Sequence, residues 1–224
     1  MRLFRTNPLL WFVAMLLGCL SAAAGHAEAP KPAVRRPSRG AYSTIDTSGL
    51  RSALAVFSSA DKSAKDRLLE SIKARPGEFA PPVFFLAAQH LQMSGNSDDA
   101  YFWFCFGRLR ARYDAARCAD ESARSGVDVL VQKTPATIRS HIVRIPVEAL
   151  VPFGRRIVEL DSATPYNYDH RWISLHGVGA LTDGTQNLCV PEAQWPELRR
   201  KNHQGFLSDL EATAAMLRQK AAVP

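Results

Sequence analysis

The stretch Pro82-Val-Phe-Phe-Leu-Ala-Ala-Gln-His-Leu-Gln-Met-Ser-Gly95-Asn-Ser-Asp-Asp-Ala-Tyr-Phe-Trp-Phe-Cys-Phe-Gly-Arg-Leu-Arg-Ala-Arg112 decides the fold. Pro82 suits the opening of a helix, where a missing N–H costs no intrahelical bond. Phe84, Phe85, Leu86, Ala88 and Leu91 follow, and Ser94-Gly95 ends the run. Asn96, Ser97, Asp98 and Asp99 offer capping oxygens, and acids at a helix start suit its dipole. A second helix is therefore expected from about Asp98 to Tyr113, with Phe102, Trp103, Phe106, Leu109 and Arg110 spread over two faces. Two apolar helices joined by a short polar turn form a hairpin that needs helical neighbours on both sides.

The flanking sequence supplies them. Ser63–Ala74 sets Leu68, Leu69 and Ile72 on one face and stops at Pro76-Gly77, and Leu50–Phe57 reads as a shorter helix. A helix is expected from about Ala115 to Gln132, a short one within Thr134–Arg144, and another across Pro146–Leu160. The last opens at Pro191-Glu192 and runs to about Lys220, with Trp195, Leu198, Phe206, Leu210, Ala214 and Leu217 as a core stripe at helical spacing. Between them, Asp161–Trp172 is dense in turn formers and aromatics. The fold class is all-α: a helical-hairpin array or an irregular helical bundle with a loop-rich C-terminal half.

Phe84, Ala87 with Ala88, Leu91, Gly95, Ala100, Phe104 and Gly107 stand at the spacing of one tetratricopeptide-type unit. Phe84–Arg112 resembles such a unit, and its turn and wide aromatics are also similar to Sel1-like repeats. Ala88 and Ala100 would let the helices approach while Phe84 and Phe104 fill the gaps. Arg112 replaces the usual closing proline, and Ala87 is smaller than the usual leucine. One unit cannot bury both faces. Either the other helices cap it, with Leu50–Phe57 and Ser63–Ala74 as a degenerate neighbour, or the match is an ordinary helical hairpin.

The amino terminus predicts export. Arg2 and Arg5 precede an uncharged apolar run from Pro8 to Leu17, and small residues from Ser21 to Ala27 follow. That order is a secretory signal peptide over residues 1–27, and the apolar run falls short of the ~20 residues that span a bilayer. The expected location is the periplasm. Leu16-Leu17-Gly18-Cys19 also resembles a lipobox, so the alternative is a lipoprotein anchored through Cys19. Residues 28–44 read as a flexible Pro/Arg-rich tether, and residues 45–224 as a single helical domain. The charge of +7 is concentrated ahead of that domain. Without Arg2 and Arg5 it is +5, and Lys31, Arg35, Arg36 and Arg39 against Glu28 account for three more, leaving the domain at +2. The excess therefore says little for nucleic acid, and membrane contact is expected only through the tether or a lipid on Cys19.

Past Cys19 three cysteines remain, so at most one internal pair forms. Cys105 sits in an aromatic run and reads as a buried free thiol. Cys118 and Cys189 lie in more polar surroundings and are the expected disulfide, closing a loop of about 70 residues at a chain-entropy gain of about 4 kcal/mol. Cys105–Cys118 is the alternative.

The sequence holds no Gly-x-Ser-x-Gly elbow, His-Glu-x-x-His, paired Cys-x-x-Cys or calcium loop, and it implies no cofactor or metal. Asp169, His170 and His176 are the one cluster from which catalysis could be built. Arg108 and Arg112 belong to a basic hairpin end. Tyr166, Tyr168, His170, Arg171 and Trp172 have the composition of binding hot spots. These seven are the candidate partner-binding residues. The expected function is a periplasmic module that binds another protein. Since exported Sel1-like proteins include immunity factors, the resemblance implies an immunity protein that neutralises an antibacterial secreted effector. The alternatives are a cell-envelope hydrolase using Asp169, His170 and His176, or an envelope scaffold.

Overall fold

A computed structural model describes residues 40–182 and 187–221, and the described chain is all-α, without a strand. Residues 1–39, on which the expected signal peptide, Cys19 and most of the expected tether fall, lie outside the described residues. The first elements are α1 (Ser48–Ser58), α2 (Lys62–Ala74), α3 (Pro81–Met93) and α4 (Ser97–Arg117). The helices α5 (Ser125–Lys133), α6 (Ala136–Arg139), α7 (Leu150–Ala163), α8 (Gly179–Thr182) and α9 (Trp195–Ala221) follow, with short 3-10 turns between them. Among the described residues no helix is long and apolar enough to cross a membrane.

The centre is the α3–α4 hairpin. α3 begins on two prolines, and Gly95 closes it at φ +84°, a left-handed conformation that favours glycine. The amides of Gly95 and Asn96 return to the Gln92 and Leu91 carbonyls, which satisfies the end of α3. Ala87, Ala88 and Ala100 are wholly buried. At Gly107 a Cβ would stand 2.8 Å from Phe84 Cβ, so a glycine is what lets the helices meet. Phe84 packs edge-on to Phe106 at 5.0 Å and stacks on Trp103 at 5.7 Å, while Phe85 meets Phe104 edge-on at 5.6 Å. Each such ring stabilises by about 1.5–3 kcal/mol through burial.

α4 is covered on nearly every side, as its two apolar faces require. Leu69 and Ile72 of α2 join the core around α3, and Ile157 of α7 with Phe206 and Leu210 of α9 closes it across α4. Gly154 lets α7 approach Leu210 closely. A smaller core of Ala111, Ala115, Cys118, Ala123, Val127, Trp172 and Ile173 lies beside the end of α4.

The boundaries differ from expectation in three places. α4 continues to Arg117, and the helix expected over Ala115–Gln132 is broken. Cys118 leaves helical geometry to pair with Cys189 in an isolated antiparallel bridge, and Asp120 then caps a 3-10 turn, Glu121–Arg124, by accepting from Ser122 N at 3.0 Å. α5 starts only after that turn. The Thr134–Arg144 and Pro146–Leu160 segments each divide into a 3-10 turn and a helix. Finally, the last five residues assigned to the tether belong to the body. Gly40–Thr44 is a 3-10 turn with Tyr42 buried, and Arg171 donates to Thr44 O at 3.0 Å while Asp169 accepts from Asp46 N at 2.9 Å. A buried ring and a charged pair anchor a segment whose composition read as unstructured.

Candidate functional site

α4, α5 and α9 enclose a groove of about 620 Å³. The four-residue spacing of Arg108 and Arg112 puts both on the face of α4 that looks into it, next to Ala115 and Ala116. The 3-10 turn and α5 contribute Arg124, Val127, Asp128 and Val131, and α9 contributes Leu198, Lys201, Asn202 and Asp209. The floor is apolar and the rim carries four cations against two carboxylates. Arg112 pairs with Asp209 at 3.1 Å, Arg124 with Glu121 at 3.1 Å, and Lys201 lies 3.6 Å from Glu197. Most of these partners are well exposed, so the ion pairs exchange with water at little cost. Arg108 makes no ion pair among the described residues.

The aromatic segment lies elsewhere and is turned inward. Trp172 is 2 % exposed and its Nε1 donates to Asp114 Oδ2 at 2.7 Å, and Tyr168 Oη donates to the same oxygen at 2.9 Å. Arg117 completes the shell around Asp114, which is fully buried. Tyr166 Oη donates to Asp161 at 2.8 Å, beside Arg110 Nη1 at 3.1 Å, His203 Nε2 at 2.8 Å and Arg199. The Arg110 guanidinium lies 3.7 Å from the centre of the Tyr166 ring, and that of Arg117 lies 4.3 Å from the Tyr113 ring and 4.9 Å from Trp195. Arg171 is held by Asp169 at 2.6 Å. The tyrosines and tryptophan expected at a partner surface therefore satisfy two buried carboxylates and plug the core.

Those two carboxylates are shifted in opposite directions. Burial pushes Asp114 up, and the Arg117 charge with the bonds from Trp172, Arg117 and Tyr168 offsets only part of this. Burial also acts on Asp161, but His203, Arg110, Tyr166 and Arg199 together hold it below the ordinary carboxylate range. Burial pushes Tyr166 and Tyr168 well above the usual phenol range, so both are neutral donors.

Asp169, His170 and His176 do not converge. The Asp169 carboxylate faces Arg171 and the Asp46 amide. His170 Nε2 lies 3.3 Å from Cys189 Sγ, with its ring edge-on to Trp195 at 4.9 Å. His176 stands edge-on to Trp172 at 5.7 Å. Burial, and then the Arg117 charge, push His170 down to about 4, leaving it a neutral imidazole at neutral pH. Among the described residues no three His, Cys, Asp or Glu side chains gather as metal ligands. Cys105, Cys118 and Cys189 are thiols in this structure, with the last two opposed across the backbone bridge.

The sequence singled out Arg108 and Arg112 only as a basic hairpin end; both line this groove, together with Arg124 and Lys201, whose elements join them only in three dimensions. Sequence reasoning missed Asp114 and Asp161 as buried anchors. The available signal was a carboxylate in the apolar register Ala111-Arg-Tyr-Asp-Ala115. No protein-family model, curated protein or solved structure matches the chain.

Proposed function

We propose that this protein is an exported, periplasmic protein-binding module whose docking site is the groove between α4, α5 and α9, and that it serves as an immunity protein against a secreted antibacterial effector. One observation carries the reading: an apolar floor rimmed by Arg108, Arg112, Arg124 and Lys201, with cations in excess. That chemistry favours an acidic segment with apolar side chains, because opposite charge steers the encounter and apolar burial holds it. The chain's own tether is basic and does not complement the rim. The tetratricopeptide-like hairpin supplies a rigid wall for such a site, and a Cys118–Cys189 bond belongs to the same picture. Asp169, His170 and His176 point to three different partners, which disfavours the hydrolase alternative.

The test is binding of the full chain to the effector encoded beside it, with Arg108→Glu/Lys201→Glu against His170→Ala/His176→Ala. The groove variant should lose at least tenfold in affinity, and wild-type binding should weaken as salt rises. The histidine variant should bind as wild type. Equal binding by the groove variant, or loss of a hydrolytic turnover in the histidine variant, overturns the proposal.

A further inference from the structure

We infer that Cys118 and Cys189 are the site of a disulfide that ties the C-terminal end of α4 to the chain entering α9, formed by thiol–disulfide exchange through Cys189. The backbone already sets the geometry. Ala119 N donates to Leu188 O at 3.0 Å and Val190 N donates to Arg117 O at 2.9 Å, so the two hydrogen bonds flank the cysteines without joining them. In such a non-hydrogen-bonded antiparallel pair the Cα atoms sit about 4.5 Å apart with both side chains on one face. That separation lies inside the range a disulfide spans. Cys105 cannot compete for Cys118, because Cys118 stands thirteen positions further along the helical run of α4, a rise of about 20 Å.

The two sulfurs differ in a way that orders the steps. Cys118 is 3 % exposed and its Sγ lies 3.2 Å from Ser174 Oγ, whereas Cys189 is half-buried and its Sγ lies 3.3 Å from His170 Nε2. Burial and the neighbouring Cys118 sulfur push the Cys189 thiol up, and the His170 imidazole beside it, pushed down by its own burial, is too weak a base to take that proton, so the reacting thiolate arises by proton loss to solvent. The oxidant is a small-molecule disulfide, RSSR. Cys189 loses its proton to solvent and its sulfur attacks RSSR, forming a Cys189–SR bond, breaking the S–S bond and releasing one thiolate, which takes up a proton from solvent. Cys118 then gives up its proton, attacks the Cys189 sulfur and expels the second thiol. The protein loses two electrons and two protons, and RSSR gains them as two RSH. Ser174 can still donate to the bonded Cys118 sulfur.

The consequence is mechanical. α4 and α9 supply two walls of the groove. In the dithiol form, two backbone hydrogen bonds hold the chain entering α9 to the end of α4, and the disulfide makes that tie covalent.

The experiment uses the full chain carrying Cys19→Ser, incubated with oxidised glutathione, then alkylated in denaturant and mapped without reduction. Two of three thiols should be lost, with one peptide pair joining Cys118 to Cys189. In Cys118→Ser the glutathione adduct should accumulate on Cys189, about tenfold faster for each unit by which pH is raised below the elevated thiol pKa. Three persisting thiols, a linkage that contains Cys105, or an adduct formed first on Cys118 would overturn the inference. None of these readouts depends on what the groove binds.

Discussion

Replacing Asp161 by Ala tests the claim that the aromatic segment is held in the core by buried charge. Asp161 and Arg110 are both fully buried, and the arginine has no route to water when its partner is removed. Stranding one member of a buried pair costs about 3–5 kcal/mol. Tyr166 loses its acceptor as well, which costs about 1–3 kcal/mol when no replacement is found. Arg199 and His203 are 30 % and 16 % exposed and can turn outward, which lowers their share. A loss of about 4 kcal/mol is expected, or roughly 10 °C in Tm for a chain this size. The assay is denaturant unfolding followed by circular dichroism, in a cycle with Arg110→Met and the double variant. Because an unpaired buried charge is the main penalty, the double variant should be more stable than Asp161→Ala alone. The pH dependence has a definite sign. The folded-state pKa of Asp161 is lowered, so its contribution is present above the unfolded carboxylate pKa near 4 and disappears as pH falls through the lower folded value. Wild type and Asp161→Ala should therefore converge in strong acid. A loss below about 1 kcal/mol at neutral pH, or strict additivity in the cycle, would refute the reasoning.

Two further outcomes follow from the packing and the titration. Gly107→Ala should cost more than Gly154→Ala in the same unfolding assay, about 3 against about 1 kcal/mol, because the first meets Phe84 Cβ beside a backbone and the second the ends of the Leu210 and Leu207 side chains. The lowered pKa of His170, about 4, means that its contribution is complete above the unfolded histidine pKa and is lost as pH falls from about 6.5 towards 4. After discounting for partial exposure this amounts to roughly 1–2 kcal/mol, and His170→Gln should flatten the stability curve across that window.

The hairpin was legible because everything that makes it is local: prolines at its start, a turn that needs Gly95, and rings at helical spacing. The end of α4 was not. Its tail continues the helical pattern into Val127–Val131, and only pairing with Leu188, Cys189 and Val190, some seventy residues away, breaks the run. The aromatic segment was misdirected for a related reason. Tyr, Trp and Arg are what a binding surface uses, and they are also the side chains that can satisfy a buried carboxylate while filling space. Composition cannot separate the two uses. The position of Asp114 among apolar neighbours on α4 could have, since a carboxylate there must recruit donors from elsewhere in the chain.

That division of labour bears on function. The segment richest in reactive side chains is committed to structure: Asp114 and Asp161 are sealed, Asp169 anchors Arg171 and the Asp46 amide, and His170 faces a thiol. The charges left near solvent with an apolar floor beneath them are those of the groove. Its walls come from segments about ninety residues apart, and the contacts that join them include Arg112 with Asp209 and Asn202 Nδ2 with Leu109 O at 2.9 Å. A partner that bridged Arg108 and Lys201 would therefore bind best to the state in which α4 and α9 are most firmly joined. By linkage it would stabilise that state as well.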